Sequence, residues 1–194
     1  MSYLGSLQWN FPHLERRPTL RNAASAPVET LTDLDPVLAK LIRWQKIPEG
    51  REGTLRTLQV MASLARAAAR DPGFIGFVQT HFIDAPLDTV DQYYRAFYRY
   101  RDEQEETIRT PQFMVADLDR IGHLEGDCDD ISTLYAATFT VLGYPARFVA
   151  IRYRAEAFEH VFVEAKDHGS WRRFDATVRP GQPMRVLESL VVEV

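Results

Sequence analysis

Gly126-Asp127-Cys128-Asp129-Asp130 leads into Ile131 to Gly143, a segment in which Ile131, Leu134, Tyr135, Phe139 and Leu142 recur at helical spacing. Asp127 is a good N-cap, Asp130 three residues later can return the bond as an acidic variant of the capping box, and Gly143 is suited to closing the helix. The pattern predicts the central helix of the core, with Cys128 at its N-terminus. It is the only cysteine in the chain. A thiol in that position meets the helix dipole and unpaired N–H groups, both of which favour the thiolate, its nucleophilic form.

Downstream of this helix the periodicity changes. Residues 146–154, 158–165 and 170–174 alternate or run apolar with β-branched and aromatic side chains, which predicts three antiparallel strands. Lys166 to Ser170 reads as the hairpin turn between the last two. Upstream the chain is helical. Helices are predicted over residues 54–70, ended by Asp71-Pro72-Gly73, over 74–82, over 88–106 with Val90, Tyr93, Tyr94, Phe97, Tyr98 and Arg101 on one broad face, and over 110–120. Asp35-Pro36 can cap a short helix to Gln45. Residues 1–30, with Pro12, Pro18 and Pro27 among scattered apolar positions, read as an irregular arm. The expected division is an arm and short helix over residues 1–50, then one domain over 51–194.

The chemistry-bearing residues follow in the order cysteine, histidine, acid. Cys128 opens the helix, His160 lies in the second strand and Asp175 follows the third, separations of 32 (160 − 128) and 15 (175 − 160) residues. Such spacing requires a fold to bring them together. These are the types of a nucleophile triad: a thiolate, an imidazole base that later protonates the leaving group, and a carboxylate that fixes the imidazole tautomer. The Cys128 N–H is suited to half of an oxyanion hole. Gln112 and Tyr93 or Tyr94 are the candidates for the other half.

The combination resembles the transglutaminase-like superfamily, in particular its small bacterial and phage-associated members. The matching residues are Gly126 to Asp130, Leu134, Leu142 to Phe148, His160 to Glu164, Trp171 and Phe174 to Thr177, with Thr54 to Pro72 and Tyr100 to Pro111 similar to the helical lead-in. That likeness implies an α+β, papain-like core, with N-terminal helices and a Cys-bearing helix on a small antiparallel sheet. It places Cys128, His160 and Asp175 at the triad positions and implies amide cleavage or acyl transfer through a thioester. Residues 1–50 fall outside the match.

Composition narrows the alternatives. The chain has 194 residues, 45% hydrophobic and 26% charged, and no apolar run nears the roughly 18 residues that span a bilayer. No secretory signal pattern opens it, and one cysteine forms no intrachain disulfide. A reducing, cytoplasmic setting, or a phage virion, is expected. A net charge of −4 argues against nucleic-acid binding through the whole surface. No cofactor is expected, and no metal: Asp127, Asp129 and Asp130 suggest calcium, but Ile131, Ser132 and Thr138 stand where an EF-hand loop needs a ligand, a glycine and a glutamate. Three classes of function remain. One is a cysteine enzyme acting on a peptide or protein amide, with hydrolysis favoured over crosslinking. Another is a phage virion or assembly component that works through residues 1–50, and the third is a peptide-binding module with a surviving cleft.

Overall fold

The computed structural model describes residues 50–102, 107–153, 157–179 and 186–194. The arm over 1–30 and the helix expected over 35–45 lie outside the described residues. The first element, α1 (Gly50–Ala68), buries Leu58, Met61, Ala62, Ala65 and Ala68, one stripe at helical spacing. Asp71 then caps α2 (Pro72–Phe82) by accepting the Phe74 N–H at 2.8 Å, and Pro72 occupies the position where its missing donor costs nothing. Phe74, Val78 and Phe82 form the buried face of α2.

The long helix expected over 88–106 is cut short. α3 (Leu87–Phe97) stops at Phe97, and the chain straightens into β1 (Tyr98–Tyr100). Helical periodicity continues past this point in the sequence. Pairing overrides it, because β1 runs parallel to β2 (Leu124–Gly126), with Tyr98 opposite Leu124 and Tyr100 opposite Gly126. Between them lies α4 (Pro111–Ile121), capped by Thr110 and closed by Gly122 at φ 80°. This two-stranded ribbon has no counterpart among the predicted elements.

α5 (Cys128–Val141) is the predicted central helix, buried at every position from Asp129 to Phe139. Its capping box is complete, with the Asp127 carboxylate accepting from Asp129 and Asp130 N–H while Asp130 accepts from the Asp127 N–H. It packs on a four-stranded antiparallel sheet of order β5-β4-β3-β6, made by β3 (Ala146–Arg152), β4 (His160–Asp167), β5 (Ser170–Phe174) and β6 (Glu188–Glu193). The edge strand β6 has no counterpart among the predicted elements. The β4–β5 turn is a two-residue hairpin with His168 at φ 47° and Gly169 at φ 86°, the positive pair such tight turns require.

Phe148, Ala150, Val161, Val163, Ala165, Phe174 and Leu190 join α5 and the upstream helices in one core. Val149, Ile151 and Phe162, which alternate with them, form a second cluster on the opposite face. Burial on both faces explains why β3 and β4 read as nearly continuous apolar runs. Among the described residues, no helix is long and apolar enough to cross a membrane.

Gly126 is where β2 hands the chain to α5, and a Cβ there would collide with Asp130 Oδ2 and lie 2.7 Å from Asp130 Cβ. Gly126→Ala must therefore displace the capping carboxylate. A stability loss of about 1–3 kcal/mol by urea unfolding is expected, and an unchanged midpoint would show the contact to be soft.

Candidate functional site

The β4–β5 ladder ends where Phe174 pairs with Val163, so the carbonyl of Val161, which faces the β5 side, has no strand partner. Ser132 of α5 takes that place, its hydroxyl donating to Val161 O at 3.2 Å. Ser132, one turn past Cys128, thus sits at the opening between β4 and the chain leaving β5. His160 precedes Val161 on one lip of this opening, and Asp175 follows Phe174 on the other. Cys128 lies four residues before Ser132, one turn along the same face of α5.

His160 and Asp175 meet directly. His160 Nε2 lies 2.8 Å from Asp175 Oδ2, with side chains only 9% and 3% exposed. A carboxylate accepts, so Nε2 carries the proton and Nδ1 is the basic nitrogen. The Asp175 Oδ1 accepts the Thr177 N–H at 3.2 Å and its hydroxyl at 2.6 Å. Arg173 also donates to Oδ2, and its guanidinium lies 4.5 Å from the Phe162 ring centre, beside His160. Burial by itself would raise the Asp175 carboxyl. His160, by hydrogen bond and charge, and then Thr177 and Arg173, outweigh it and hold the group well below the usual carboxylate range.

The backbone behind Asp175 is fixed from the helical side. Arg95 of α3 donates to the carbonyls of Asp175 and Val178, while its Nε bonds Asp91 at 2.8 Å. The other Asp91 oxygen accepts from the Tyr135 hydroxyl of α5 at 2.6 Å. One chain of bonds therefore ties the central helix to the segment that presents Asp175.

Around Cys128 the structure adds residues that sequence reasoning missed. The Tyr98 hydroxyl lies 2.9 Å from Gly126 O and 3.2 Å from Asp127 O, donating to the carbonyls just before the thiol. Burial, then the charges of Cys128 and Asp127, keep this phenol above its ordinary value. Of the residues proposed as second oxyanion donor, Tyr94 is fully buried and its hydroxyl meets Thr138 Oγ1 at 2.6 Å, and Tyr93 packs among His81, Phe82 and Phe97. Tyr94 is a core residue, and Tyr93 is half-buried against the core. Gln112 lies half-buried in the first turn of α4.

Asp127, Asp129 and Asp130 each offer an oxygen within 4.8 Å of the others, a set able to hold a cation. Asp127 caps α5, and Asp130 accepts the Arg109 N–H at 2.6 Å and lies 3.7 Å from its guanidinium Nε. Arg109 also offsets part of the negative charge that opposes a thiolate at Cys128.

The transglutaminase-like superfamily model matches residues 80–176, which include Cys128, His160 and Asp175. The chain belongs to the transglutaminase-like superfamily. No curated protein matches it. Among solved structures it is similar to a "putative cysteine protease" from Cytophaga hutchinsonii (16% identity, 75% of this chain and 44% of that one, TM-score 0.43). It is also similar to a "putative protease" from Parabacteroides distasonis (15%, 78% and 34%, TM-score 0.49). A third is a TGase (14%, 78% and 39%, TM-score 0.37). The chain spans less than half the length of each.

A depressed folded-state carboxyl stabilises the fold fully above its unfolded value of about 3.9 and loses that contribution as pH falls below it. Urea unfolding from pH 6 downward should therefore show acid destabilisation that Asp175→Asn reduces. Parallel pH profiles for the two proteins would contradict the observed bonding of Asp175.

Proposed function

We propose that this chain is a cysteine acyl-transfer enzyme, with Cys128 as nucleophile, His160 as general base and acid, and Asp175 as the residue that orients His160. The observation that carries this reading is the His160–Asp175 bond through Nε2, with Ser132, one helical turn past Cys128, bonded to the carbonyl of Val161 next to His160. It commits Nε2 to the acid and leaves Nδ1 to handle the thiol proton.

In the proposed reaction His160 Nδ1 takes the Cys128 proton, and the sulfur attacks the carbonyl carbon of a peptide or protein amide. The carbonyl electron pair moves onto oxygen, at the helix N-terminus beside the Cys128 N–H. Collapse expels the amine, which takes its proton from the His160 imidazolium, and leaves a thioester. His160 then removes a proton from water, the hydroxide attacks the thioester, and the acid and free thiol are released. Water is the favoured acceptor. The chain's 20 Arg and 3 Lys offer few amines for self-crosslinking.

Peptide amides incubated with the protein and quenched in acid should give an acyl adduct on Cys128 by mass spectrometry. The adduct should be absent from Cys128→Ala and reduced by on the order of 10³-fold or more in His160→Ala. Iodoacetamide should label the wild type well below the unperturbed thiol pKa of about 8.5, and His160→Ala should lose that low-pH labelling. Identical labelling curves for the two would refute the assignment of His160. Deletion of residues 1–30 should leave the adduct intact; if it abolishes a complex that Cys128→Ser still forms, and no adduct is found, the assembly reading replaces this one.

A further inference from the structure

The reaction proposed above needs a second donor for the oxyanion, and β1 carries a residue suited to it. β1 runs parallel to β2, with Tyr98 paired to Leu124 and Tyr100 to Gly126. Two residues apart on a strand, Tyr98 and Tyr100 project from the same face, about 6.6 Å apart along the chain direction. The Tyr98 hydroxyl reaches the carbonyls of Gly126 and Asp127, two and three residues beyond its pairing partner. Tyr100 pairs with Gly126, the last residue of β2 and two before Cys128, and its phenol lies near enough to feel the charges of Cys128, Asp127 and Asp129.

The two phenols differ in what they have left to give. Tyr98 is half-buried, and its proton is committed to two carbonyls. Tyr100 is 58% exposed, and its hydroxyl makes no hydrogen bond among the described residues. Strand pairing still holds its backbone: Arg101 N–H donates to Gly126 O at 2.9 Å, so the strand remains anchored immediately past Tyr100. An anchored backbone with an uncommitted hydroxyl facing outward is what a donor to an incoming carbonyl requires.

We propose that the Tyr100 hydroxyl donates the second hydrogen bond to the oxyanion formed when Cys128 attacks a substrate carbonyl, opposite the donor supplied by the Cys128 N–H. This rests on the acyl-transfer reading of Cys128. Partial burial, then the charges of Cys128 and Asp127, raise the Tyr100 phenol above its ordinary value, so it keeps its proton where Cys128 is a thiolate.

Two reactions at the same sulfur separate this role from an effect on the thiol. With p-nitrophenyl acetate the thiolate attacks the carbonyl, an S–C bond forms, an oxyanion appears, and p-nitrophenolate departs with the electron pair of the broken C–O bond. With iodoacetamide the thiolate displaces iodide at a saturated carbon, and no oxyanion forms. Tyr100→Phe should slow the acylation burst by on the order of tenfold to a hundredfold while the rate and pH profile of alkylation stay at wild-type values. Wild-type acylation by Tyr100→Phe would overturn the assignment. Acylation and alkylation falling together would overturn it as well, since Tyr100 would then act on the thiolate. A wild type acylated no faster than Cys128→Ala would instead remove the acyl-transfer reading on which the assignment stands.

Discussion

Asp130 is a carboxylate with no exposed surface, and the geometry around Cys128 depends on it. Its oxygens collect the Asp127 N–H, the Arg109 N–H and the approach of the Arg109 guanidinium. A buried charge left without such partners would cost several kcal/mol, so the loop before α4, the end of β2 and the first turn of α5 are held to one arrangement. Gly126 completes the constraint by leaving space that a methyl group would close. The thiol therefore stands at a helix terminus whose position is fixed by covalent neighbours and by a buried ion pair, before any substrate contributes.

Opposite it, the sheet supplies an opening instead of a continuous surface. β5 stops pairing after Phe174, and the chain turns through Asp175 and Thr177, with both Asp175 oxygens bonded. Had the ladder continued, Val161 O would have paired with the backbone and Ser132 would have had no acceptor there. A strand that ends early thus does two things. It admits Ser132 of α5, and it frees the residue after Phe174 to bond a histidine on the neighbouring strand.

Much of this was legible in the residues. The Asp127 and Asp130 cap, the apolar stripe of α5, the Asp71-Pro72 junction and the hairpin at His168-Gly169 all depend on neighbours within about four positions, where pattern and turn chemistry are sufficient. The aromatic run Tyr93 to Tyr100 was not legible as it folds. Its helical spacing persists into a segment that becomes a strand, because β2, some 26 residues away (124 − 98), offers it a partner. Tyr94, a candidate at the thiol, is buried in the core, Tyr93 packs half-buried against it, and Tyr98 is the phenol that donates to the carbonyls just before Cys128. The edge strand β6 is not marked by local pattern, because its partner, β3, is distant in sequence.

The amino-acid sequence by itself determined the α+β character, the capped helix that begins at Cys128, and the residue types of the candidate site, since each follows from local periodicity, capping and side-chain chemistry. Tertiary structure alone decided which nitrogen of His160 faces Asp175, that Ser132 fills the gap beside it, and that Arg95 and Tyr135 brace the chain behind. Those bonds join residues 15, 29, 80 and 44 positions apart. Contacts across such separations are set by where ladders end and how layers pack, which no pattern of near neighbours encodes.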